Sequence, residues 1–225
     1  MVMLAAISNA PFNRKNTHML LDADDSQLVL VDYQIKLMPA MLDAPGVIAN
    51  AVRLARLAAL MAVPVVLTEQ APSKLGATLP EIQAALRAQP GAAARTLAKM
   101  QFSAVEEGLG DWLRPPPKPV QGNARSLPKH LQKASADADA RASIVLAGCE
   151  AHICLLQTAL DLLEDEFEVW VVTDACSSRT ERNRDAAFDR LAGAGAELVT
   201  TEMVAFEWLR SAEHAAFKDV QALVK

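Results

Sequence analysis

Apolar residues in this chain fall into short unbroken blocks, separated by longer stretches in which they recur every three or four positions. The blocks are Ser26 to Val31, Pro64 to Thr68, a weaker one from Thr96 to Lys99, Ile144 to Ala147, Glu168 to Thr173 and Ala196 to Thr200. They are too short for helices and do not alternate polar with apolar, so they predict strands buried on both faces. Between them, Gly46 to Ala62 carries Val47, Val52, Leu54, Leu57 and Leu60 at helical spacing. After the fourth block, Ile153, Leu156, Leu160 and Leu163 repeat that spacing. Further helices are predicted over Leu79 to Leu86, Glu181 to Ala192, Thr201 to Leu209 and His214 to Leu223. Gln70 to Thr78, with Pro72 and Gly76, reads as a loop. Strands alternating with helices place the chain in the α/β class. The expected architecture is a Rossmann-like, three-layer αβα sandwich around a six-stranded parallel sheet.

Two segments stand outside this pattern. Residues 1–25 form an irregular lead-in. Residues 111–127 contain Pro115, Pro116, Pro117 and Pro119, which suit neither a helix interior nor a central strand. The segment is expected to be an exposed excursion and not a linker, because strands on both sides belong to one sheet. One domain over 1–225 follows.

Composition narrows the function. At 225 residues and 52% hydrophobic, the chain can bury a substantial core. A net charge of −5, with no basic and aromatic interleaving, argues against a nucleic-acid surface. The apolar stretch Leu54 to Leu67 is broken by Arg56 and Pro64 and is too short to span a bilayer. Met1 to Ala6 is apolar but lacks the positive lead-in of a signal peptide. Three cysteines without a Cys-x-x-Cys pair suggest no disulfide framework and a reducing, cytoplasmic compartment.

The chemistry concentrates around Ser143 to Cys154. An apolar strand, a glycine at 148 and a helical pattern make a strand–turn–helix unit with Cys154 in the first helical turns. The positive end of a helix dipole favours a thiolate there. In open α/β sheets, ligands bind outside the carboxyl ends of the strands. Asp32, Glu69, Gln70, Lys99, Cys154 and Asp174 stand at those ends. A carboxylate, an ammonium and a thiol converging there make a workable base, charge stabiliser and nucleophile. Taken singly, each has a duller role. A strand-end aspartate caps the next turn, a lysine is solvated, and a buried cysteine is inert packing, the role assigned to Cys149 and Cys176.

The set resembles a known family. Val31-Asp32-Tyr33-Gln34, Lys99-Met100-Gln101-Phe102-Ser103 and Ala147-Gly148-Cys149-Glu150-Ala151-His152-Ile153-Cys154 resemble the isochorismatase-like cysteine hydrolases, whose relatives include nicotinamidases and carbamoylsarcosine amidases. Agreement continues over Leu155 to Asp161, Thr173 to Arg179 and Thr201 to Glu207. Thr68-Glu69-Gln70, Leu75-Gly76 and Phe217-Lys218 look like the branch known only as isochorismatase-domain-containing proteins. The resemblance implies that Cys154 attacks an amide or carbamoyl carbonyl to give a thioester. It implies that Asp32 is base and then acid, that Lys99 holds both, and that the backbone N–H groups of Glu150 and Cys154 form an oxyanion hole. It also implies a cis peptide between Cys149 and Glu150 and a homo-oligomer. Substrate contacts are expected from Tyr33, Gln34, Leu37, Glu69, Gln70 and Phe102.

The departures from the family pattern also inform. Ala151 replaces a common threonine. The loop Glu69-Gln70-Ala71-Pro72 lacks the metal-binding histidine of nicotinamidases, and the four histidines have no ligand spacing, so neither metal nor cofactor is expected. True isochorismatases do not use the cysteine, which puts this chain on the amidase-like side. His152 is expected to bond backbone, Arg179 to pair with Glu202, and Trp112, Trp170 and Trp208 to pack. The alternatives to an enzyme are a catalytically quiet oligomeric binding or scaffold protein and, more weakly, a redox-sensing thiol.

Overall fold

A computed structural model describes residues 20–87, 94–115 and 141–225. The strands are β1 (Ser26–Val31), β2 (Val65–Gln70), β3 (Arg95–Lys99), β4 (Ser143–Gly148), β5 (Glu168–Val172) and β6 (Glu197–Val199). They form one sheet in the order β3-β2-β1-β4-β5-β6, and every pairing is parallel. All six residues of β1 and all six of β4 are buried, so these two strands are the centre of the molecule. That explains their unbroken apolar blocks, since both faces are covered.

The helices are α1 (Ala44–Leu60), α2 (Pro72–Leu75), α3 (Pro80–Arg87), α4 (Leu109–Leu113), α5 (Leu156–Glu164), α6 (Glu181–Ala194), α7 (Thr201–Leu209) and α8 (Phe217–Val224). Asp43 caps α1 by accepting the Gly46 N–H at 3.3 Å, and Pro45 sits in the first turn, where a missing N–H costs nothing. Val47, Ala51, Leu54 and Ala58 turn one stripe of α1 inward, and the helix packs on α3, α7 and α8. Leu156, Ala159 and Leu162 do the same for α5, which packs on α6. Helices therefore cover both sides of the sheet.

The structure departs from the pattern-based expectations in two places. The stretch from Gln70 to Thr78 is not all loop, because β2 runs on to Gln70 and Pro72 starts the one-turn helix α2. Asp111, Trp112 and Leu113, the first residues of the expected excursion, complete α4, and the helix ends before the prolines begin. The rest of that excursion from 116 on, and the lead-in before Leu20, lie outside the described residues.

Gly148 has a reason that periodicity could not reveal. Its Cα stands opposite Val31 in the β1–β4 register, and a side-chain carbon there would lie 2.3 Å from the Val31 carbonyl oxygen. The obstacle is backbone in the middle of the sheet, which cannot step aside. Gly148→Ala is expected to destabilise the protein by about 3 kcal/mol or more. Chemical denaturation of the purified variant checks this, and an unchanged midpoint contradicts it.

Candidate active site

Strand order reverses between β1 and β4, and the crevice at that switch point is where α/β sheets bind ligands. Asp32 is the first residue beyond β1 and adopts a left-handed conformation (φ 55°). Lys99, the last residue of β3, reaches across the end of β2 so that its Nζ lies 2.8 Å from Asp32 Oδ2, with both side chains fully sealed from solvent. Thr68 Oγ1 donates to Asp32 Oδ1 at 2.7 Å. Lys99 Nζ also donates to Gln70 Oε1 at 2.7 Å and to the Phe102 carbonyl at 3.0 Å. Gln70 Nε2 donates to the Met100 carbonyl at 2.8 Å, which turns the amide oxygen toward the site. The Cys154 thiol donates to that same oxygen at 3.9 Å. Gln70 thus joins the ammonium to the thiol. Asp32 Oδ2 meets Lys99 by distance, yet no well-angled hydrogen bond reaches it.

Cys154 lies in a π-helical turn, Ala151–Leu155, immediately before α5. The peptide bond between Cys149 and Glu150 is cis. The Glu150 carbonyl accepts from Ile153 at 3.0 Å and from Leu155 at 3.3 Å, and it passes over the N–H of Cys154. The Glu150 N–H donates to no other described residue. Such single π turns are frequent at functional sites. The local surroundings oppose the thiolate that a helix start favours. Burial pushes the Cys154 thiol up to about 12, the Asp32 carboxylate pushes the same way, and the Lys99 ammonium only partly opposes them. Cys154 is 6% exposed, and desolvation is the largest of these effects.

A family profile described as "Isochorismatase domain" matches residues 26–121 and 122–203. The chain belongs to the isochorismatase family. It is 34% identical to isochorismatase domain-containing protein 2 of Rattus norvegicus, over 90% of this chain and 82% of that one. Its human counterpart is 35% identical, over 89% of this chain and 83% of the relative. Among solved structures, the MAR1 ribonuclease of Caenorhabditis elegans superposes with a TM-score of 0.76 at 30% identity, covering 91% of this chain and 92% of that one. The YcaC gene product of Escherichia coli, described as an octameric hydrolase of unknown specificity, superposes with a TM-score of 0.70 at 25% identity, covering 93% and 96%. An isochorismatase-like hydrolase fold follows.

Within this isochorismatase-family fold, the residues expected to contact substrate divide. Tyr33 is buried and donates its hydroxyl to the Ala175 carbonyl, so it packs the wall. Gln34 is buried and splints the loop, accepting the Gln70 N–H at 2.8 Å and donating to the Gly76 carbonyl at 2.6 Å. Glu69 accepts the backbone N–H and hydroxyl of Thr78 at 2.7 and 2.8 Å. Each of these three side chains makes a hydrogen bond to protein, which supplies partners for polar groups at the strand ends. Leu37 is half-buried, Gln70 reaches the thiol, and Phe102 is exposed with its carbonyl turned to Lys99.

Sequence reasoning missed Thr68. Its signal was a hydroxyl opposite Val31 in a parallel register, one residue short of Asp32. Asp174 does not join the site. It caps α7 by accepting the Thr201 N–H and hydroxyl at 2.8 and 2.9 Å. Arg179 pairs with Glu150 at 2.7 Å and not with Glu202. His152 meets side chains, Ser178 Oγ at 3.0 Å and Asn183 Nδ2 at 3.3 Å, where backbone was expected. Trp170 and Trp208 are buried, and Trp112 lies 4.3 Å beneath the Arg95 guanidinium. Among the described residues, no group of three or more His, Cys, Asp or Glu side chains is placed to hold a metal. No described helix is long and apolar enough to cross a membrane.

Proposed function

We propose that this chain is a cysteine hydrolase of small amide or carbamoyl C–N bonds that works through Cys154, Asp32 and Lys99 without metal or cofactor. The observation that carries the reading is the sealed Lys99–Asp32 pair, 2.8 Å apart, joined to the thiol through Gln70. As the sulfur attacks the carbonyl carbon, Asp32 takes the thiol proton. Burial and the Asp32 carboxylate raise the thiol, so the sulfur needs a base as it attacks. The N–H groups of Glu150 and Cys154 receive the developing oxyanion. Asp32 then returns the proton to the departing amine, leaving a thioester. Asp32 next deprotonates a water, which attacks the thioester; the C–S bond breaks, the acid departs, and the sulfur takes the proton back from Asp32. Lys99 keeps the carboxylate paired throughout. The acidic chain, at −5, suits a small molecule better than RNA, despite the name of the nematode relative. A cytoplasmic homo-oligomer completes the reading, in keeping with the octameric bacterial relative.

The direct test is trapping. Acid quenching during turnover of an activated small amide is expected to leave an acyl group on the peptide carrying Cys154 at neutral pH. Absence of that adduct, with acyl groups elsewhere or nowhere, rejects the mechanism.

A second reading is a catalytically quiet binding protein. It is favoured by the 6% exposure of Cys154 and by two surface cavities lying elsewhere, one along α7 and one between Gly110, Arg114 and Phe167. Alkylation examines the thiol itself. With the folded thiol raised to about 12, iodoacetamide is expected to react slowly at pH 7 and faster with each step of pH, without a plateau near the free-cysteine value of about 8.5. The sign for stability follows from the same shift. The raised thiol is protonated in both states below about pH 8.5, and stability falls as pH climbs toward the folded value. A plateau near 8.5 contradicts the burial argument.

A further inference from the structure

Beyond Lys99 the chain turns through Met100, Gln101 and Phe102, and all three residues are exposed. No buried side chain anchors this stretch, so backbone hydrogen bonds must place it. Its carbonyls face the site. The Met100 carbonyl accepts from Gln70 Nε2 at 2.8 Å, and the Phe102 and Gln101 carbonyls accept from Lys99 Nζ at 3.0 and 3.4 Å. Its N–H groups are gathered elsewhere. Glu107 Oε1 accepts the Met100 N–H at 2.8 Å and the Gln101 N–H at 3.1 Å. One carboxylate oxygen thus holds the back of a loop whose front holds the ammonium and the bridging amide.

Glu107 itself stands on a firm base. It ends the single helical turn Val105–Glu107. The Ala104 N–H donates to the buried Thr158 hydroxyl of α5 at 3.0 Å, and the Glu107 N–H donates to the Ala104 carbonyl at 3.2 Å. Helix α5 follows directly on the turn that carries Cys154. The Met100 and Gln101 N–H groups, and more weakly the Lys99 ammonium, hold the Glu107 carboxyl below the usual carboxylate range. Its bonds to the loop are therefore charge-assisted at neutral pH, the stronger kind. No ion pair with a described residue competes for it. We propose that Glu107 is a positioning residue, which pins residues 100–102 and so fixes the Gln70 amide and the Lys99 ammonium relative to Cys154 and Asp32. What this does for catalysis rests on the hydrolase reading above; what it does to Lys99 does not.

Two readouts on the full-length protein test this. On the best small-amide substrate, Glu107→Ala is expected to lower kcat by about 10²-fold, the cost of misplacing a catalytic group by about 1 Å. KM is expected to stay within about threefold, because the loss falls on the reacting groups and not on binding. Reductive methylation followed by mass spectrometry reads Lys99 directly. Its side chain is sealed in the wild type, and in Glu107→Ala it is expected to be labelled at least about tenfold faster as the loop over it opens. Glu107→Gln keeps an oxygen in the same place and is expected to stay within about threefold of the wild type in both readouts. Glu106→Ala, at the exposed neighbouring position, is expected to match the wild type. Thermal melts show that each variant is folded at the assay temperature. A merely structural role lowers Tm and leaves kcat and Lys99 labelling of the folded protein unchanged. Wild-type kcat or a wild-type labelling rate of Lys99 in the alanine variant overturns the proposal, as does a loss that Glu107→Gln shares in full. If the wild type hydrolyses no small amide, the hydrolase reading falls alone, and the labelling of Lys99 decides the role of Glu107.

Discussion

Cys154→Ala is expected to lower kcat on the best small-amide substrate by on the order of 10⁴-fold or more, with the protein still folded. The two effects separate because the sulfur's catalytic and packing roles differ in size. Its removal takes away the atom that bonds to substrate, and no neighbouring group can replace it. Cys149 and Cys176 are buried, and burial raises both thiols, the second to about 12. The packing loss is one sulfur at a 6% exposed position, about 1 kcal/mol, which shifts Tm by a few degrees at most. Steady-state assays against a panel of small amides, beside a thermal melt, measure both. Activity that persists in the alanine variant removes the nucleophile from the scheme. Asp32→Asn is expected to be as inactive, because the amide retains the shape but cannot accept the thiol proton.

Lys99→Met carries the largest expected stability effect. Lys99 and Asp32 are both 0% exposed, so the variant leaves a carboxylate buried without its counter-ion. Breaking a buried pair from one side costs about 3–5 kcal/mol. For a chain of this length that corresponds to a fall in Tm of roughly 6–20 °C. Thr68 still donates to Oδ1, but a single hydroxyl does not neutralise a charge. Combining Lys99→Met with Asp32→Asn removes both charges and is expected to recover half or more of the lost stability, since buried pairs contribute little over neutral replacements. Activity is not expected to return. Denaturant titrations of the three variants decide this. If the single lysine variant is as stable as the wild type, the pair is not the sealed unit described.

The strand blocks and most of the helices were legible in the residues alone. Buried parallel strands must be apolar on both faces, and that requirement leaves unbroken runs such as Leu28 to Val31 and Ile144 to Ala147. Asp32, Lys99 and Cys154 were singled out by the resemblance of the motifs around them to a known family, since each taken singly has a duller role. What side chains do once they meet was not legible. Tyr33, Gln34 and Glu69 read as pocket residues in the sequence, but the hydrogen bonds each makes to protein were not legible there. Arg179 found Glu150 instead of Glu202. The state of the thiol depended wholly on the third dimension. A helix start favours charge on sulfur, but burial beside Asp32 opposes it, and burial depends on residues brought in from several elements. Periodicity reports the solvent exposure of an element, because each element meets water or core along its own length. Ion pairs, proton positions and the bridging amide of Gln70 depend on distances between elements, and only folding sets those.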